Sequence, residues 1–95
     1  MYNIQEVKSK LKPVFDSYNV KSAILFGSIA KNEAHEKSDV DILVDSGLHG
    51  IAFFGLLEDV VNVIGRKVDL IDKSQVEIGS KIYSEIKDTG VLIYG

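Results

Sequence analysis

Asp39-Val40-Asp41 places two carboxylates at positions i and i+2. In an extended strand such residues project from one face at close range. Two like charges held that close repel, and each raises the other's proton affinity unless a cation neutralises them. The flanking Val40, Ile42, Leu43 and Val44 mark a core strand, where an unpaired charge is costly. The chain has no cysteine and no histidine pair near this segment, so the donors are oxygens, which favour a hard cation such as Mg2+. Taken alone, Asp-x-Asp equally describes a strand start whose acids sit in solvent.

Lys67-Val68-Asp69-Leu70-Ile71 supplies a third carboxylate, with Val68 and Leu70 on one face and Asp69 on the other. If this strand lies beside the first, Asp39, Asp41 and Asp69 converge. Three carboxylates on adjacent strands can hold two divalent ions about 3.5–4 Å apart, a spacing that clamps the attacking and leaving oxygens in phosphoryl chemistry. The competing reading makes Asp69 a strand-edge acid paired with Arg66 or Lys67. Asp45 and Asp72 fall at strand ends and read as turn residues. Upstream, Gly27-Ser28 follows a strand and precedes a short helix. A glycine there lets backbone approach a ligand closely, and the helix start offers N–H groups to an anion. Ser28 can cap that helix or donate to a phosphate oxygen, and Lys31 adds a positive charge one turn on. Gly-Ser alone is an ordinary strand-to-helix turn. Its value lies in the combination: Gly27-Ser28, nine intervening residues, then Ser38-Asp39-Val40-Asp41.

The elements that must position these residues are legible from periodicity. Ile4, Val7, Leu11, Val14, Phe15 and Tyr18 recur at helical spacing, predicting a helix over 3–18 with Asn3 as N-cap and a kink at Pro13. A strand over 20–26 follows, then a short helix over 29–34, a polar turn over 35–38 and a strand over 39–45. Residues 51–64 form an apolar helix stopped by Gly65. A strand over 66–72 follows, then a helix capped by Ser74 and running to Asp88, a closing Thr89-Gly90, and a last strand over 91–94. Alternation of this kind predicts an α+β (mixed α/β) fold, a central mixed sheet with flanking helices, as a single domain over 1–95.

Composition narrows the function. Hydrophobic residues are 45% and charged residues 26%, ordinary for a globular domain. No apolar run approaches the roughly 20 residues that span a bilayer, and the N-terminus shows no basic-then-apolar leader, so the expectation is a cytoplasmic chain with no membrane association. The net charge is −3, and the longest basic run is Arg66-Lys67. Stable nucleic acid binding normally leaves a basic footprint, so a metal-chelated mononucleotide is the expected ligand rather than a polymer. His35 and His49 are single loop histidines. Phe53 and Phe54 lie on the apolar 51–64 helix, where core packing is the default and a partly exposed ring for a partner is the alternative.

The stretches Leu25-Phe26-Gly27-Ser28-Ile29-Ala30-Lys31-Asn32-Glu33, Ser38-Asp39-Val40-Asp41-Ile42-Leu43-Val44 and Val68-Asp69-Leu70 resemble the DNA polymerase beta-like nucleotidyltransferase superfamily. Within it they are most similar to the minimal nucleotidyltransferases, antitoxin partners of HEPN-type toxins. The resemblance covers nearly the whole chain. It implies the polymerase beta-like fold, catalysis by Asp39, Asp41 and Asp69 with two Mg2+ ions, and a nucleotide site at Gly27, Ser28, Lys31 and Ser38. It also implies transfer of AMP from ATP to a hydroxyl of a HEPN-type toxin protein. Lys31-Asn32 departs from the family's usual Arg-Gly: lysine keeps the charge but loses the bidentate fork, while asparagine still tolerates a left-handed backbone. Two other functions stay open: a catalytically weak or inactive module that neutralises the toxin by covering it, and nucleotide transfer to a small molecule. Base preference, acceptor atom and oligomeric state are not legible.

Overall fold

The computed structural model describes residues 3–27, 30 and 39–95. Helix α1 (Ile4–Ser17) begins where the Asn3 side chain accepts the Glu6 N–H at 2.8 Å, and it keeps Pro13 inside. Its buried residues are Val7, Leu11 and Phe15, one stripe at i, i+4 and i+8. The chain leaves the helix through Asn19 at φ 56°, a left-handed turn that asparagine accommodates.

Strand β1 (Ser22–Phe26) is antiparallel to β2 (Val40–Asp45). Helix α2 (Ile51–Ile64) then crosses to β3 (Val68–Asp72), which is parallel to β2. Gly65 ends α2 at φ 76°, in the left-handed conformation that a side chain would disfavour. Helix α3 (Lys81–Thr89) leads into β4 (Val91–Tyr94), antiparallel to β1 on its outer side. The strand order is β3-β2-β1-β4, so the sheet is mixed as expected, and β2 and β1 are its central strands.

One face of the sheet carries the core. Ala23 and Leu25 of β1, Val40, Ile42 and Val44 of β2, Val68 of β3 and Ile93 of β4 pack with the apolar stripes of α1 and α2, the latter through Leu56, Val60 and Ile64. Alternate residues of the same strands, Ile24, Asp41 and Leu43 among them, therefore point to the opposite face. That face is covered by α3, which has no fully buried residue. Asp41 and its register partner Asp69 thus fall on the lightly covered side. On α2, Phe53 packs against the core while Ile51 and Phe54 stand exposed.

The segment after β3 departs from expectation. Instead of one helix capped by Ser74, Lys73–Gln75 makes a single 3-10 turn and α3 starts only at Lys81, capped by the Ser80 side chain. Ser74 is held by Asp72, which accepts its N–H at 3.0 Å and its hydroxyl at 2.6 Å. Gly79, at φ +88°, then breaks the path before a new cap begins. Asp72 also accepts the Ser46 N–H at 3.1 Å and the Ser46 hydroxyl at 2.6 Å, tying the loop after β2 to the end of β3. Burial works to raise the pKa of this carboxyl, but the hydrogen bonds from Ser46 and Ser74 outweigh it and hold it at about 2. Asp72→Ala would leave these donors unsatisfied and should cost about 2–3 kcal/mol in a urea titration at neutral pH. Because the folded pKa is depressed, the contribution is present above pH 4 and fades as pH falls toward 2, so wild type and variant should converge in acid.

Candidate active site

Three residues of three strands meet at one end of the sheet. The antiparallel pairing sets Phe26 opposite Asp41, and the parallel pairing sets Asp41 opposite Asp69. Neighbours in register share a face, so Asp41 and Asp69 stand side by side above the sheet, with Gly27 just beyond Phe26. Gly27 adopts φ +81°, and a Cβ built on it would penetrate the Asp41 carboxylate, lying 3.3 Å from Asp41 Cγ. The glycine is thus required twice over, by its backbone angle and by the carboxylate pressed against it. Its N–H donates to Thr89 Oγ1 at 3.0 Å, and the Thr89 hydroxyl donates to the Glu85 carbonyl at 2.8 Å.

Asp41 has its pKa raised to about 6. Partial burial is the largest cause, followed by the charge of Asp69 and a hydrogen bond with it, then the charges of Glu85 and Asp39. The pocket beside it has a volume of about 400 Å³ and is lined by Phe26, Asp41, Leu57, Val68, Asp69, Leu70, Ile71, Ile82 and Glu85. That size suits a mononucleotide-scale ligand. Apolar walls with carboxylates on one side would bind an anion poorly unless cations came with it. The concentration of negative charge that lifts Asp41, together with an all-oxygen donor set, fits Mg2+ better than a softer metal.

Of the residues singled out in the sequence, Gly27, Asp41 and Asp69 are brought together. Asp39 precedes β2, is partly exposed, and has Oδ2 at 3.6 Å from Lys67 Nζ. Lys67 therefore engages Asp39 rather than Asp69. Among the described residues, no three acidic or histidine side chains already stand together as a ligand set for a metal ion. Ser28, Lys31 and Ser38 lie outside the described residues, as do the helix expected over 29–34, apart from Ala30, and the turn over 35–38. Glu85 and Thr89 of α3 were not singled out. Their signal was present: Ile82, Glu85, Ile86 and Thr89 follow i, i+3, i+4, i+7 spacing, so two polar residues fall on the stripe that faces the sheet.

Residues 9–95 match the family model described as polymerase beta, nucleotidyltransferase. The chain belongs to this nucleotidyltransferase family. A relative from Methanocaldococcus jannaschii, named provisionally as a protein adenylyltransferase, is 35% identical over 91 residues, covering 90% of this chain and 97% of its own. Protein adenylyltransferase MntA of Thermococcus cleftensis is 35% identical over 85 residues, covering 83% of this chain and 86% of its own. A chain from a complex described as tri-AMPylated Shewanella oneidensis HEPN toxin with MNT antitoxin superposes with a TM-score of 0.71 at 22% identity, covering 97% of this chain and 72% of the other. At that identity the match establishes the fold, the polymerase beta-like nucleotidyltransferase architecture. Gly27, Asp41 and Asp69 lie within the matched residues.

Proposed function

We propose that this nucleotidyltransferase moves AMP from ATP to a hydroxyl of a partner protein, a HEPN-type toxin, and thereby acts as its antitoxin. The observation that carries the reading is the row Gly27–Asp41–Asp69 across three adjacent strands, with backbone pressed against the middle carboxylate. The relatives named as protein adenylyltransferases, and the complex of an AMPylated HEPN toxin with a chain of the same fold, support this direction of transfer and this partner.

Asp39, Asp41 and Asp69 would hold Mg2+, which neutralises the triphosphate and stabilises charge developing on its oxygens. The chain's own residues do the rest. Gly27-Ser28, with Lys31 and Ser38, would seat the triphosphate beside Asp41. An acceptor hydroxyl enters over the exposed Asp69, attacks the α-phosphorus and passes its proton to the Asp69 carboxylate. One O–P bond forms, the bond from the α-phosphorus to the bridging oxygen breaks, and pyrophosphate leaves. The attached phosphate would place a negative group on the toxin and repel an RNA backbone.

The test is co-expression with a HEPN-type protein, followed by mass spectrometry of that protein. Added adenylyl masses that disappear with Asp41→Asn are the expected result. Neutralisation with no added mass, and equally good neutralisation by the Asp41→Asn variant, would instead mean that the chain works by covering the toxin.

A further inference from the structure

We infer that Thr89 is the positioning residue of the nucleotide turn, so that the end of α3 fixes Gly27 against Asp41. The inference rests on the nucleotidyltransferase reading of the site and adds to it a residue 62 positions away in sequence.

The geometry leaves the Thr89 hydroxyl one arrangement. Its proton is committed to the Glu85 carbonyl at 2.8 Å, one turn back in α3. The oxygen must then act as acceptor, and the Gly27 N–H, at 3.0 Å, fills that role as donor. The peptide entering Gly27 is thereby tied to α3, and the Cα of Gly27 is pressed on the Asp41 carboxylate. Gly27 itself supplies no side chain to hold this position, and its left-handed φ of +81° is one that a flexible glycine can leave. Thr89 restrains the turn at a residue that has no side chain of its own to do so. The following residue, Gly90, lets α3 end close to β1: a Cβ there would lie 2.9 Å from Ile24 Cγ2. The end of α3 is thus packed on the strand that delivers Gly27.

Thr89→Val keeps the shape and removes the acceptor, whereas Thr89→Ser keeps the acceptor. Binding of Mg2+ with AMP-PNP, measured by calorimetry, is expected to weaken about three- to tenfold in Thr89→Val, the value of one hydrogen bond. In transfer assays the change should appear in KM for ATP rather than in kcat, and Thr89→Ser should stay near wild type. Ser80→Ala weakens α3 at its other end by removing the cap on the Tyr83 N–H. It should melt earlier yet bind the nucleotide as wild type does. Wild-type affinity in Thr89→Val, or equal loss in Ser80→Ala, would overturn the assignment. The Gly27 amide gives a check that needs no variant: it should be protected from hydrogen exchange in the wild-type chain, and rapid exchange there would also overturn the proposal. A wild-type chain with a protected Gly27 amide but no affinity for the nucleotide would strike at the nucleotidyltransferase reading itself.

Discussion

The Asp39→Asn/Asp41→Asn double variant is expected to lose nucleotide transfer by about a thousandfold or more, while melting at or above the wild-type temperature. Loss of activity without loss of fold separates a catalytic carboxylate from a structural one. The stability gain has a pH signature. Asp41 titrates near 6 in the folded chain against an ordinary value of 3.8, so the folded state holds the proton more tightly than the unfolded one. Stability from this group is therefore greatest below pH 4 and declines as pH rises through 6. The full shift would correspond to about 3 kcal/mol. Asp41 is only partly buried, so solvent screening reduces this to on the order of 1 kcal/mol. In a chelator and without nucleotide, Asp41→Asn should be more stable than wild type by that amount at pH 7.5, and the two should coincide near pH 4. Asp72, whose acid-side loss is common to both proteins, cancels in the difference. Adding Mg2+ and nucleotide should reverse the order by stabilising the wild type alone. Transfer that survives in the double variant would sink the catalytic assignment.

Gly27→Ala should damage both stability and transfer. Alanine at φ +81° costs about 1–2 kcal/mol from backbone strain alone. Its Cβ also cannot coexist with the Asp41 carboxylate where it now stands. A fall in Tm of about 5–10 °C is expected for a chain of this length. Displacing Asp41 by even a fraction of its size should lower transfer about a hundredfold, since reacting groups tolerate little misplacement. A double-mutant cycle tests the cause. Asp41→Ala removes the group that the methyl strikes, so Gly27→Ala should cost less stability in that background, with a coupling of about 0.5–3 kcal/mol between the two positions. Strict additivity would show that the strain is confined to the backbone and that the glycine is not holding space for the carboxylate.

What the sequence by itself determined was whatever depends on neighbours along the chain. The stripe of Val7, Leu11 and Phe15, the alternation of Val40, Ile42 and Val44, and the stop at Gly65 are local signals, and each produced the expected element. Gly27, Asp41 and Asp69 could be singled out too, because a glycine after one strand combined with acids on two others is unusual, although each part alone is ordinary. The chain after β3 was misread for an equally local reason. Ser74 looks like an N-cap, yet the buried Asp72 captures both its N–H and its hydroxyl and turns it into a 3-10 corner.

Only the tertiary structure could decide the rest. That Asp41 faces Asp69 depends on the parallel register of β2 and β3, a pairing across 28 residues that no short window contains. That Lys67 answers Asp39 follows from where that register leaves two exposed side chains. Glu85 comes beside Asp41 and Thr89 beside Gly27 because α3 is laid across the face opposite the core. Their helical spacing announced a stripe but could not say which strands it would meet. Residue type fixes what chemistry a side chain can do. Which side chains do it together is set by long-range packing, where the burial of apolar surface by α1 and α2 chooses the face on which the carboxylates are left.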